Sequence, residues 1–161
     1  MPSLIRQTVE SMAKTLRDST YFRTNPIIPV LVEDEKDIGK QIENAGLKTG
    51  AFVLVKFDQS GESYSDIPGP NLGDCEFTAN VVELPQVWRT KPGPTPSAAE
   101  ISESVANLLQ NHRPTDKDGI QLSGGGLVFK TISPLPADES TIQFAVTFAI
   151  GLSISKTTPS R

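Results

Sequence analysis

His112 is the only histidine and Cys75 the only cysteine in a chain of 161 residues. One of each cannot build a thiolate or imidazole metal cluster within one chain, and a lone thiol leaves no intramolecular disulfide. Cys75 is read as a small buried hydrophobe. A serine nucleophile needs a structured elbow beside a base, and no Gly-x-Ser-x-Gly occurs. His112 closes a helical pattern, where an imidazole can meet the free carbonyls of the last turn, so a capping role is expected. Gly124-Gly125-Gly126 has the composition of a phosphate loop. No Gly-Lys-Ser/Thr follows, however, and the glycines lead into a β-forming run from Leu127 to Ile132. Their expected use is flexible backbone, or close approach by a neighbouring subunit. The acidic run Glu33-Asp34-Glu35 reads as a solvated helix start, because calcium loops spread their ligands over a longer, alternating pattern. No catalytic residue, metal site or cofactor is expected.

The residues that stand out fit contacts better than catalysis. Trp88, the only tryptophan, is followed by Arg89 and Lys91 in a polar, proline-rich elbow that runs to Pro96. Trp and Arg are over-represented at interface hot spots, but a tryptophan is also usually largely buried, so core and interface readings both stand for Trp88. Tyr64 carries the same ambiguity in a second polar segment, Asp58 to Gly73, which is rich in Gly, Ser, Pro and Asp and too long for a tight hairpin. The candidate interface residues are therefore Tyr64, Asp66, Trp88, Arg89 and Lys91.

The elements that must carry them follow from periodicity. Ile5, Val9, Met12 and Leu16 predict a helix over residues 3–18. Pro26 and Pro29 break the next stretch, leaving Ile27 to Val32 as a strand suited only to a sheet edge. A second helix is expected from Asp34 to Ala45, with Ile38, Ile42 and Ala45 as its apolar stripe and Gly46 as its C-terminal cap. Ala51 to Phe57 and Glu76 to Leu84 read as strands, with Phe77, Ala79, Val81 and Leu84 expected on one face. Ser97 and Glu100 match a capping box for a helix to about Asn111, burying Ala98, Ile101, Val105, Leu108 and Leu109. Gly119 to Ser133 and Thr141 to Ser155 are expected to close the chain as two strands, with Ile142, Phe144, Val146, Phe148 and Ile150 on one face. The predicted class is α+β: an antiparallel or mixed sheet of about four to five strands, with helices packed mainly on one face. Residues 1–155 are expected to form one domain and 156–161 a flexible tail.

Composition narrows the function classes. Thirteen prolines and twelve glycines imply many turns and extended connections. The formal charge of −4 and pI of about 5.0 argue against binding that relies on many Lys and Arg contacts to phosphate. No signal pattern precedes the first helix and no apolar run approaches a membrane span. A soluble product made in a cytoplasm, with no membrane partner and no sequence-specific nucleic-acid binding, is expected.

With these elements in order, the chain resembles the tail terminator (tail completion) proteins of long-tailed bacteriophages. The resemblance lies in Val82-Glu83-Leu84-Pro85 with Arg89, then Thr95 to Leu109, then His112-Arg113-Pro114. The upstream helix and strand and the closing strands also fit, over about residues 30–153. Leu84 to Trp88 and the proline-rich Lys91 to Pro96 depart from the usual pattern. The resemblance implies a small α+β protein that forms a ring, typically a hexamer, on the end of the tail tube. Such a ring stops tube polymerisation and presents a surface to the head connector. The implied partners are other copies of itself, the tail tube protein and the head–tail connector protein. The implied location is the virion tail, after synthesis in the host bacterial cytoplasm. A head–tail joining or tail tube subunit is the alternative within virions; a small metabolite-binding domain or enzyme is the alternative outside them.

Overall fold

A computed structural model describes residues 3–33, 36–60, 71–136, 138 and 140–153. The chain runs through α1 (Leu4–Asp18), α2 (Thr20–Arg23), β1 (Val30–Val32), α3 (Ile38–Asn44), a π-helical turn (Ala45–Thr49) and β2 (Ala51–Ser60). It continues through β3 (Asn71–Glu83), α4 (Pro85–Trp88), α5 (Ala98–Leu109), β4 (Val128–Pro134) and β5 (Ile142–Ser153). The five strands form one mixed sheet in the order β1-β2-β3-β5-β4. Three pairings are antiparallel; β1 alone runs parallel to its neighbour, β2. The α+β class and the strand count match the sequence expectation.

Period-two alternation sends one set of side chains from each strand to a single face. Val30, Val32, Val53, Val55, Phe77, Ala79, Val81, Val146, Phe148 and Ile150 meet there, under α1 and α5. α1 contributes Val9, Met12, Ala13 and Leu16 at helical spacing, and Arg17 donates from Nε and Nη2 to the Val30 carbonyl at 2.9 and 2.7 Å. That forked contact ties the helix to the edge strand β1. α5 begins at the predicted capping box and buries Ala98, Ile101, Val105 and Leu109, while Leu108 is only partly buried. The opposite face is covered by α3 with its π turn. There Ile38 and Ile42 pack on Leu31, Ala45, Phe52, Leu54 and Val82 as a second, smaller cluster.

Several boundaries differ from the sequence reading. The second helix does not stop at Gly46: a π turn carries it to Thr49, and Gly50 caps it at φ +90°. A Cβ on Gly50 would stand 2.5 Å from the Trp88 nitrogen, so both conformation and space demand glycine here. The polar segment Asp58 to Gly73 is shorter than composition suggested, because β2 runs to Ser60 and β3 begins at Asn71. Gln59 and Ser60 pair with Glu76 and Cys75, and Asn71 and Gly73 pair with Ser153 and Leu152. Such backbone partners are not visible in sequence. Residues 119–127 are not strand. Thr115 and Gln121 form an isolated bridge, and β4 starts only at Val128. Of the three glycines only Gly126 meets its own chain: a Cβ there would lie 2.5 Å from the Asn111 carbonyl oxygen, where Asn111 and Leu127 pair after α5, whereas Gly124 and Gly125 have open space. The expected tail, 156–161, lies outside the described residues.

Val105 sits at full burial in the middle of the α5 stripe. Val105→Asp places an unpaired carboxylate in that core and is expected to cost about 3 kcal/mol or more. Chemical denaturation checks this; an unchanged midpoint would mean that α5 packs through a different face.

Candidate functional site

Strand β3 runs without a bulge from Gly73 to Glu83 along β5, so alternation carries residues 75, 77, 79, 81 and 83 inward. The inward position at the strand end is therefore Glu83, not Leu84 as expected. Glu83 is fully buried. Arg89 Nε donates to its Oε2 at 2.6 Å and Nη2 to its Oε1 at 3.3 Å. The backbone N–H of Ala98 donates to Oε1 at 2.9 Å. Ala98 is the first residue of α5, so the carboxylate sits at the positive end of that helix as well as against a guanidinium. Arg89, half exposed, has its pKa raised by its hydrogen bond to Glu83 and then by the charge of that carboxylate. The carboxylate is thus charge-paired and accepts three hydrogen bonds, which makes it a structural ion pair.

The elbow after Glu83 is folded tightly around it. Pro85 starts the single turn α4, where a missing N–H costs nothing. Trp88 is fully buried, and its indole N–H donates to the Pro96 carbonyl at 2.8 Å. Of the two readings of Trp88, the structure shows the core one, and its ring is not available as a surface anchor. Lys91 Nζ reaches the Lys48 carbonyl at 2.6 Å, bridging the elbow to the π turn. Trp88, Arg89 and Lys91 are brought together, but each is occupied within the chain. Beyond them, Pro92, Gly93 and Pro94 are exposed. Tyr64 and Asp66 lie outside the described residues.

His112 does not cap α5. Its Nε2 lies 3.0 Å from Ser11 Oγ and 3.3 Å from Thr15 Oγ1, both on α1. Ser11 Oγ also accepts the Thr115 N–H at 3.0 Å, which leaves its own proton for the imidazole. A serine beside a histidine has the look of a nucleophile and base. Here the serine is buried and holds a backbone amide, and no carboxylate hydrogen-bonds the ring among the described residues. The contact joins α1 to the turn after α5. Burial lowers the His112 pKa from its ordinary 6.5. Ser11 and Thr15 were invisible as partners in sequence, about a hundred residues away. Glu83 carried a usable signal: it continues the inward period of β3. Among the described residues, no group of three or more His, Cys, Asp and Glu side chains could hold a metal ion, and no helix is long and apolar enough to cross a membrane.

Known proteins relate to this chain through structure alone. No protein-family model matches it, and no curated protein matches it in sequence. Eleven solved chains match its fold. One belongs to the "Virion of native gene transfer agent (GTA) particle", with a TM-score of 0.56 at 13% identity, covering 90% of this chain and 93% of that one. The two chains share a fold. Another solved chain is 15% identical, with a TM-score of 0.48, covering 94% of this chain and 98% of that one.

Two outcomes test this site. Glu83→Ala orphans the buried Ala98 N–H and the inner end of α5, and is expected to lower stability by roughly 1–3 kcal/mol in chemical denaturation. For His112, the folded chain favours the neutral ring, so the unfolded chain binds a proton first as pH falls. Its contribution is complete above about pH 6.5 and is lost as pH drops from there through the lower folded pKa. Melting temperature should fall over that window in the native protein, and His112→Asn should flatten that part of the profile.

Proposed function

We propose that this chain is a structural virion protein: a tail terminator that forms a ring, typically a hexamer, on the tail tube, stops its polymerisation and offers a surface for head attachment. The observation that carries the virion role is the fold shared along nine-tenths of both chains with a chain of the gene transfer agent particle. The finer reading, terminator, rests on the resemblance in element order around Val82 to Pro114. The chemistry of the described residues supports a non-enzymatic role. The buried carboxylate is paired with Arg89, the Ser11 hydroxyl of the part-buried Ser11–His112 pair holds a backbone amide, and the conspicuous elbow residues brace the fold. On this reading the partners are other copies of the chain, the tail tube protein and the head–tail connector protein. Its place is the virion tail, after synthesis in the host bacterial cytoplasm. The segment containing Tyr64 and Asp66 and the exposed part of the Arg89 to Pro96 elbow are the proposed partner-facing loops.

Tagged protein in purified particles, located by gold labelling and electron microscopy, tests the reading. Label confined to the head-proximal end of the tail, with rings formed by the purified protein at raised concentration, is the expected result. Label along the whole tail would make the chain a tube subunit, and label retained on tail-free heads a head–tail joining protein. Absence from particles would overturn the virion role.

A further inference from the structure

Among the described residues, two apolar surfaces stand out, and they differ in shape. The first is a groove of about 560 Å³ on the α3 side, floored by Phe52, Leu54 and Val82 and flanked by Ile42 and Leu84. Leu47, in the π turn, stands at its lip and is 68% exposed. Among the described residues, Glu43 is the one charged side chain lining the groove, and it makes no ion pair. Asn80 Oδ1, also in the groove, is enclosed without a hydrogen-bond donor. The second surface is strand β4, at one edge of the sheet. Its Val128 is 56% and its Phe129 37% exposed. Its outer side pairs with no strand among the described residues, and its one charged side chain is Lys130.

We propose that the β4 edge of one copy of this chain seats in the α3-side groove of the next copy, head to tail, with Lys130 meeting Glu43. This names the contact surfaces of the ring, and so rests on the ring-forming reading above. Three features select a second copy as the occupant. An isologous dimer would cover the same patch twice and leave the other bare, whereas a heterologous contact covers both with one repeated interface. The charges are complementary: an acidic groove wall faces a basic edge strand. β4 is an edge strand whose outer side pairs with no strand among the described residues, and its exposed Val128 and Phe129 match the apolar floor of the groove. Lys130 is held only loosely in the isolated chain, 3.3 Å from Glu76 and about half exposed, so it can turn to a new partner.

Mixed single-cysteine proteins test the contact. Full-length Leu47→Cys and Val128→Cys variants are oxidised separately and together, with Cys75 left in place because it is buried. The expected result is a cross-linked dimer only in the mixture. Self-association of Glu43→Lys and of Lys130→Glu, followed by light scattering, should each weaken roughly fivefold per interface, and the doubly swapped chain should recover it. Melting temperatures of all variants check that each is folded. Cross-linking of Val128→Cys with itself would overturn the proposal in favour of edge-to-edge pairing. Rings that form normally with no mixed cross-link and no charge-swap effect would overturn it while leaving the ring reading intact. A protein that neither self-associates nor appears on particles would remove both.

Discussion

The carboxylate of Glu83 holds the architecture together at the point where the sheet hands the chain to its main helix. It is buried at the inner end of β3, and burial of an unpaired charge would be costly. Arg89 and the first N–H of α5 meet that demand from two directions. The geometry of the elbow follows. To return Arg89 to Glu83 the chain must turn sharply, which Pro85 and the single turn α4 accomplish. Trp88 is thereby driven into the core, and Gly50 must be glycine because the Trp88 backbone lies against it. The segment from Leu84 to Pro96 looks like a loop in composition, but its inner half behaves as part of the core.

The two faces of the sheet have different roles. One is sealed by α1 and α5, and the Ser11–His112 contact fastens those helices to each other through the turn after α5. The other is covered in part by the short α3 and its π turn, leaving a groove beside them. Among the described residues, one face of the sheet is thus closed by long helices, and the other keeps an apolar groove. The proposed contact between copies would use that groove and the β4 edge.

Much of the fold was legible from residue patterns, for a local reason. The α1 stripe, the Ser97–Glu100 capping box, the α5 stripe and the inward set of β5 depend on spacing within one element, and spacing is written in the sequence. Proline placed β1 at an edge for the same reason. What failed depended on partners. The strand ends at Gln59 to Ser60 and Asn71 to Gly73 exist because β3 and β5 reach far enough to pair with them. The π turn ends where Gly50 meets Trp88, and Gly126 is pressed against Asn111 by the return of the chain after α5.

The candidate site divides along the same line. By itself the sequence determined that no thiolate cluster or disulfide forms within this one chain, because it has a single cysteine, and that Gly124-Gly125-Gly126 lacks the Gly-Lys-Ser/Thr of a phosphate loop. It also singled out Trp88, Arg89 and Lys91 as unusual. Only the tertiary structure decided what they do: Trp88 fills the core, Arg89 neutralises Glu83 and Lys91 braces the π turn. The physical reason is that a side chain's burial and its charge partner are set by elements far away in sequence. Ser11 and His112 meet from opposite ends of the chain, and the groove exists only because α3 covers part of a face that β2, β3 and β5 build together.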